Sequence, residues 1–202
     1  MLVAPMALKK FIVDATHSDI SFYVRHMLVA RVRGAFRSWS GTLLVDDACL
    51  EGGAAEAHID VASIDTGDAR RDGHLCGRDF FDADRFPTMT FRSTAVEALD
   101  GRRCQLHGDL TLRGVTRAVV LDVELGGRLR DPVAGERIGF AARTSISRKQ
   151  FGMTFNQILD GGGLALGDKV EIVIDVEAVA SAVVVVVDPT EPRVESRAAA
   201  KR

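Results

Sequence analysis

The residue types that could perform acid–base chemistry are concentrated in one segment, residues 66–87. Its charged residues include Arg70, Arg71, Asp72, Asp79, Asp82 and Asp84. Paired carboxylates beside arginines can act as a general acid and a general base. Such clusters more often cap helix ends and form ion pairs on the surface. Because Thr66 and Asp68 are natural N-cap residues and Asp79 and Asp82 flank a predicted helix end, we interpret these charges as structural.

The histidines and cysteines are the other candidates for chemistry. The histidines are His17, His26, His58, His74 and His107, scattered over different predicted elements. A site with three histidines around a metal ion is possible, but no spacing requires one, so hydrogen bonding to loop backbone is the preferred interpretation. Cys49, Cys76 and Cys104 are odd in number and lack C-x-x-C spacing, which argues against a disulfide framework or a zinc site. The sequence therefore predicts neither a catalytic group nor a bound metal.

Phenylalanine usage indicates an apolar interior. The chain has ten Phe against one Tyr and one Trp, and Phe has no polar atom that needs a partner in a dry environment. A solid Phe-rich core is one explanation. However, Phe80, Phe81, Phe86, Phe151 and Phe155 lie in predicted connections, where apolar side chains would close the mouth of a cavity. We therefore favour a ligand cavity over a solid core.

Charge and length exclude several classes of protein. The formal net charge of −2 gives no reason to expect nucleic acid or an anionic membrane as a partner. No apolar run is long enough for a membrane span. The N-terminal residues 1–10 are too short for a secretory signal, and their lysines follow the apolar stretch instead of preceding it. These features predict a cytoplasmic protein.

Alternation of apolar and polar residues predicts an antiparallel all-β fold. The alternating rows lie at residues 20–25, 55–61, 106–112, 119–125, 138–146 and 170–176, and turn signals follow at Asp46-Asp47, Glu51–Gly53, Asp100-Gly101, Gly126-Gly127, Asp131-Pro132 and Gly161–Gly163. About eight strands in this order favour a closed up-and-down barrel, since closure removes exposed edges. A β-sandwich is the alternative. The single predicted helix spans about Asp68 to Phe81.

The predicted domain boundaries follow the changes in composition. Residues 1–9 form an N-terminal extension, residues 10–180 the barrel, and residues 181–202 a tail that is rich in charge and proline and is expected to be disordered. The five-valine run Val183–Val187 lies in this tail. It either extends the last strand, which we favour, or contacts a partner.

Ordered motifs over residues 10–178 resemble the YceI family of polyisoprenoid-binding-like proteins of bacteria. The matching residues are Asp14–Phe22 with His26; Gly34–Phe36 and Gly41; Ile64–Gly67, Arg71-Asp72, His74-Leu75 and Asp79–Asp82 with Pro87; Gly108–Thr116; Gly139-Phe140; Arg148 with Phe151–Met153; and Gly167–Val170. No single motif is specific, but their shared order is. Cys76 and Gly77 depart from the family pattern, where a basic and a small polar residue are frequent.

The resemblance implies a fold and a function. It implies an eight-stranded antiparallel, lipocalin-like barrel with one short helix in the 66–87 connection, usually dimeric. Its interior would hold a polyisoprenoid, an isoprenoid quinone or a fatty-acyl molecule, with no cofactor besides that ligand. Many members of the family are periplasmic, in contrast to the location expected from this N-terminus.

We therefore expect a non-catalytic binding, storage or transport protein for a long-chain lipid. The residues expected to line the channel are Phe22, Phe36, Phe91 and Phe140, with Phe80, Phe81, Phe86, Phe151 and Met153 near its closure. Arg148 and His26 are candidates for contact with a head group. The alternative is an enzyme that acts on a lipid or quinone through His26, His74 or the Asp/Arg cluster.

Overall fold

Eleven strands, one α-helix and three short 3-10 helices make up the regular structure of the described residues. The computed structural model describes residues 6–27, 30–46, 50, 52–132, 135–158 and 165–187. The strands are β1 (Met6–Val13), β2 (Asp19–His26), β3 (Ala30–Phe36), β4 (Trp39–Val45), β5 (Ala54–Asp60), β6 (Ile64–Asp65), β7 (Thr88–Ala98), β8 (Arg103–Leu112), β9 (Val115–Asp131), β10 (Gly135–Ser147) and β11 (Leu166–Val187), and the helix is α1 (Ala69–Cys76). Within these ranges, no helix is both long enough and apolar enough to cross a membrane.

The strands close into one antiparallel barrel. Its hydrogen-bonded order is β1, β4, β5, β7, β8, β9, β10 and β11, and β11 pairs back with β1. Strands β1 and β2 both pair with β11, through Val13 opposite Ala178 and Asp19 opposite Asp175, so they act as two halves of one long strand. Strands β3 and β4 form a second such pair, as do β5 and β6. The predicted eight-stranded meander is confirmed, and the alternative of a β-sandwich is wrong.

The barrel has two dissimilar ends. We call one the helix end; it holds α1, β6, the end of β2 at His26 and the described residues 148–158 that follow β10. We call the other the terminal end; it holds the start of β1 and the end of β11. A larger core cluster that includes Phe36, Ile59 and Phe151 lies at the helix end and in the middle. A smaller cluster of Phe11, Val45, Ile138 and Ala178 lies at the terminal end.

The sheet extends past both predicted domain boundaries. Met6 pairs with Val187 and Lys9 pairs with Val184, so residues 6–9 and 181–187 belong to the barrel. The predicted boundaries at residues 10 and 180 are therefore corrected, while residues 188–202 lie outside the described residues. Valine is β-branched and favours extended backbone, and β1 offers it a partner edge. The five-valine run extends the last strand, as we favoured.

Gly126-Gly127 is a bulge and not the predicted turn. Strand β9 continues through both glycines to Asp131. Gly127 pairs with Gly139 and Leu125 pairs with Phe140, which leaves Gly126 as the extra residue. A side chain at Gly126 would place its Cβ 3.3 Å from the Gly139 carbonyl oxygen. A bulge uses glycine for the same lack of a side chain that a turn does, which explains the wrong prediction.

Helix α1 is shorter than predicted and begins where the capping argument places it. The Asp68 side chain accepts hydrogen bonds from the backbone N–H groups of Arg70 and Arg71, at 3.0 and 3.1 Å. Asp68 is therefore the N-cap residue, and Thr66 is not. The helix ends at Cys76, and the following residues up to Phe86 fold back in turns. The prediction that the helix continues to Phe81 is wrong: the backbone becomes extended at Gly77, whose N–H donates to the His74 carbonyl at 3.1 Å.

Candidate ligand-binding site

The interior of the barrel contains one large apolar cavity of about 380 Å³. It extends from Arg71 and Phe80 at the helix end to Leu50 and Gly53 at the terminal end. Its volume falls in the range of pockets that enclose small ligands. An elongated apolar cavity of this kind can hold a molecule that is itself elongated and apolar.

The lining is apolar because the strands alternate. Every second residue of a strand points inward, and in this chain those positions are nearly all aliphatic or aromatic. The strand residues that line the cavity include Ile20, Phe22, Val24, Leu43, Ala55, Ala57, Ile59, Phe91, Leu106, Leu110, Val119, Leu121, Val123, Phe140, Ala142, Ile172 and Ile174. The Cys104 thiol also lines it, and burial raises the pKa of that thiol, so it contributes a neutral group.

Aromatic rings form the wall of the cavity below α1. The rings of Phe22 and Phe36 lie 5.7 Å apart, and Phe81 meets Phe36 edge-on at 5.9 Å. Gly34 makes this arrangement possible, because a Cβ at that position would overlap the Phe22 ring. Phe81 comes from the 66–87 connection and the other two rings from strands. The connection therefore supplies part of the cavity wall, as the placement of its phenylalanines suggested.

The connection after α1 is fixed by its own hydrogen bonds. The backbone N–H of Phe81 donates to the Leu75 carbonyl at 2.9 Å, and that of Asp82 donates to the Gly77 carbonyl at 2.9 Å. His74 bonds Asp79 at 3.0 Å, and its ring lies 5.1 Å from that of Phe80. The charged side chains of this segment therefore cap α1, form pairs such as His74–Asp79 and orient neighbouring residues, which is their predicted structural role.

Arg148 is buried and holds a second connection in place. Its guanidinium donates to the carbonyl oxygens of Gly167, Met153 and Phe155 at 2.9, 2.6 and 2.8 Å, and to that of Leu166 at 3.4 Å. Burial lowers the pKa of Arg148, although a guanidinium stays charged in proteins. The side chain thus ties the residues after β10 to the start of β11 and places a positive charge in the lining.

Arg71 and Thr66 form the other polar feature of the lining. Arg71 Nε donates to Thr66 Oγ1 at 2.7 Å, and Nη2 donates to the Thr66 carbonyl at 2.9 Å. Thr66 Oγ1 in turn donates to Asp72 Oδ1 at 2.6 Å. This chain of bonds fixes the orientation of Arg71 from the residue at which the connection enters α1.

Nine of the eleven predicted ligand-contacting residues line the cavity. These are Phe22, His26, Phe36, Phe80, Phe81, Phe91, Phe140, Arg148 and Met153. Phe86 and Phe151 do not. Phe86 packs against Gly114 with Arg85 over its ring at 5.1 Å, and Phe151 is buried within the larger core cluster. That any of these residues contacts a ligand stays a prediction.

Sequence reasoning missed Trp39, Thr66, Arg71 and Leu75, which also line the cavity. Arg71 and Leu75 are four residues apart, so they share one face of a helix. The predicted helix lies in the connection expected to close the cavity, so this spacing indicates that Arg71 and Leu75 reach the cavity together. The four-residue spacing thus indicated that Arg71 lines the cavity, but its charge was interpreted as a surface feature.

The histidines do not converge on one site. His26 lines the cavity, whereas His74 lies outside the lining and pairs with Asp79. His17, Asp14 and Glu177 place one ligand atom each within 4.8 Å of one another, on the side of the barrel. Arg137 donates to both carboxylates of that group, so a guanidinium already balances their charge.

Comparisons with known proteins agree with this architecture. The YceI-like domain model matches residues 11–178. A UPF0312 protein of Staphylococcus epidermidis is 37% identical over 163 residues, which cover 80% of this chain and 92% of that protein. Among solved structures, BcnA of Burkholderia cenocepacia has a TM-score of 0.72 at 28% identity, covering 82% of this chain and 98% of BcnA. A polyisoprenoid-binding domain of Saccharophagus degradans, implicated in plant cell wall breakdown, has the same fold, with a TM-score of 0.62 at 18% identity; it covers 86% of this chain and 99% of that domain.

Proposed function

The chain belongs to the YceI-like domain family, and on that basis we propose that it binds a long-chain apolar lipid inside its barrel without acting on it as an enzyme. The observation that carries this proposal is the cavity of about 380 Å³ with its almost wholly apolar lining. The ligand would be a polyisoprenoid, an isoprenoid quinone or a fatty-acyl molecule. The description of the Saccharophagus degradans domain as polyisoprenoid-binding supports the first of these.

Burial of the lipid tail alone gives a useful binding affinity. Each methylene removed from water contributes about 0.8 kcal/mol, so ten contribute about 8 kcal/mol before ordering costs are subtracted. That free energy corresponds to a dissociation constant of about 1 μM. A lipid with a longer chain therefore binds usefully through its tail alone, which suits storage or transport.

Two further expectations belong to this proposal. We propose that the protein forms a homodimer, as the resemblance implied, and size-exclusion chromatography with light scattering tests this. The cytoplasmic location also stays a prediction, and fractionation of cells that express the natural gene tests it.

The ligand proposal is tested by filling the cavity. Ala142 lines the cavity and is 9% exposed, between Val123 and Ile174 on the neighbouring strands. An Ala142→Phe substitution places an aromatic ring in the channel, so we expect at least about a tenfold loss of affinity for a long-chain lipid. Native mass spectrometry and organic extraction of the purified protein measure what is bound.

The matched control is Ala141→Phe. Ala141 is adjacent on β10 but lies opposite Glu124 and Asp175, on the other face of the sheet. We expect it to keep its lipid. If the natural protein neither carries nor takes up any long-chain lipid, or if both variants bind lipid as it does, the proposal fails.

A further inference from the structure

Over the residues that the structure describes, the polar side chains that the cavity lining directs toward the interior include basic groups but no carboxylate. Besides the neutral Cys104 thiol, the lining includes four acidic or basic side chains, those of His26, Glu56, Arg71 and Arg148. Glu56 is exposed and hydrogen-bonds His58 Nε2 at 3.1 Å, so its carboxylate lies on the outer face of β5. The side chains that remain toward the interior are two arginines and a histidine.

These three side chains also lie at the same end of the barrel. Arg71 belongs to α1, and His26 is the last residue of β2, opposite Leu166. Arg148 follows β10 and donates to the carbonyl of the same Leu166. The terminal half of the lining, by contrast, is aliphatic around Val45 and Leu50. The cavity therefore has a cationic end and an apolar end.

Arg71 has donor capacity left over, whereas Arg148 has little. Three of the five N–H groups of Arg148 have carbonyl partners within 3 Å, and a fourth points to Leu166 at 3.4 Å. Arg71 uses only Nε and one Nη2 hydrogen, both on Thr66. In the part of the chain that the structure describes, Nη1 of Arg71 has no hydrogen-bond partner.

Among the described residues, neither arginine forms a salt bridge with a carboxylate, although Asp168, which accepts from Ser147 Oγ, is close enough to act electrostatically on Arg148. Asp72 is the nearest acidic neighbour of Arg71 in sequence, but its Oδ1 accepts from the backbone N–H and the hydroxyl of Thr66, at 2.9 and 2.6 Å. Asp72 therefore orients Arg71 through Thr66 and does not form an ion pair with the Arg71 guanidinium. A half-buried cation with free donors beside an apolar cavity gains most from an anion that arrives with the ligand.

We propose that the helix end of the cavity is a head-group site for an anionic oxygen group, a carboxylate or a phosphate, with Arg71 as its main contact. The lipid then enters its site head toward α1 and tail toward the terminal end. This inference rests on the proposed lipid-binding function and narrows its ligand class to anionic amphiphiles. A guanidinium offers two parallel N–H groups that match a carboxylate or phosphate, whereas a neutral alcohol engages only one of them.

The test compares ligands with one tail and different heads. Palmitate, hexadecyl phosphate, hexadecanol and hexadecyltrimethylammonium have the same tail length, and the single tryptophan, Trp39, lines the cavity and reports binding by its fluorescence. We expect the two anions to bind at least about tenfold more tightly than the alcohol, because charge-assisted hydrogen bonds are the stronger kind. The ammonium compound should bind most weakly. The order of palmitate and hexadecyl phosphate then identifies the oxyanion.

A pair of arginine variants on one helix assigns the effect to Arg71. Arg71→Met should reduce the preference for palmitate over hexadecanol to within about threefold, because palmitate loses two N–H partners and hexadecanol loses only one. Arg70→Met is the control, because Arg70 neighbours it on α1 but is exposed and outside the lining. It should keep the full preference. If Arg71→Met does not fold, the ligand series on the natural protein decides alone.

The possible results distinguish a failure of the head-group inference from a failure of the proposed lipid-binding function. Equal affinity of the natural protein for palmitate, hexadecyl phosphate and hexadecanol overturns the head-group site and leaves the lipid-binding proposal intact. An anion preference that survives in a folded Arg71→Met protein also overturns it. If none of the four ligands binds, the lipid-binding proposal itself fails.

Discussion

The two ends of this barrel are built in different ways. At the terminal end, Phe11 and Ala178 are fully buried, and β1 pairs with β4 on one side and β11 on the other. At the helix end, β6 is only two residues long, and connections take the place of strands. Side chains such as Arg148 hold those connections by bonding to backbone carbonyls. Strand pairing thus holds the chain together at one end, and side-chain hydrogen bonds hold it together at the other.

The difference assigns different tasks to the two ends. A strand-paired apolar end contributes stability through burial, which is non-directional and tolerates any apolar ligand tail. An end built from connections can present polar groups at chosen positions, because loops on a rigid scaffold carry most binding residues. We therefore expect substitutions at the terminal end to change mainly stability, and substitutions at the helix end to change ligand preference as well.

The largest expected effect is a loss of stability at the terminal end. Phe11 is 0% exposed within the smaller core cluster, so Phe11→Ala should cost about 3–5 kcal/mol of the free energy of unfolding. Urea denaturation measures it. Ile12→Ala is the control, since the next residue along β1 is 44% exposed. The molecules that remain folded should bind lipid with unchanged head-group preference, and an altered preference would contradict the division of tasks.

A smaller loss is expected at the helix end, together with an effect on the ligand. Arg148→Met removes the donors for four carbonyl groups. Some of those carbonyls can turn to water, so we expect a cost of about 2–3 kcal/mol. Lys149→Met, at an exposed neighbouring position, should cost less than about 0.5 kcal/mol. Lipid affinity should fall in Arg148→Met and not in Lys149→Met, and equal affinity in the two variants would contradict this assignment.

The same contrast explains which features the sequence could predict. The inward faces of long strands such as β8 and β11 follow from period-two alternation, which is a local property of the chain. The N-cap at Asp68 is also local. These features were therefore predictable from the sequence alone, and with them the barrel and the greater part of the cavity lining.

Connections have no period, so their side chains could not be placed. Phe80 and Phe86 lie six residues apart in one connection, yet Phe80 lines the cavity and Phe86 packs against Gly114. Which of them turns inward depends on backbone bonds such as that from Phe81 to Leu75, which composition does not reveal. The extent of β11 was equally hidden, since the valine run needed residues 6–9 as its partner. Contacts distant in sequence decided each of these outcomes.

The smallest expected effect lies at the junction of the two ends, where Asp14 separates β1 from β2. Its carboxylate accepts from Thr16 Oγ1 at 2.6 Å, from His17 and from Arg137, and these bonds hold the pKa of Asp14 well below its ordinary value. A lowered folded-state pKa stabilises the fold above the unfolded pKa of about 3.9 and loses that contribution as the pH falls below it. Asp14→Asn should therefore be slightly less stable than the natural protein at pH 7, with the difference narrowing toward pH 3 in urea denaturation. Exposed Asp175 provides the control as Asp175→Asn. A difference that stays constant from pH 7 to pH 3 would contradict this prediction and show that the junction contributes through its shape alone. If Trp39 fluorescence and circular dichroism report separate unfolding transitions for Asp14→Asn, the junction couples the two ends of the barrel in the natural protein.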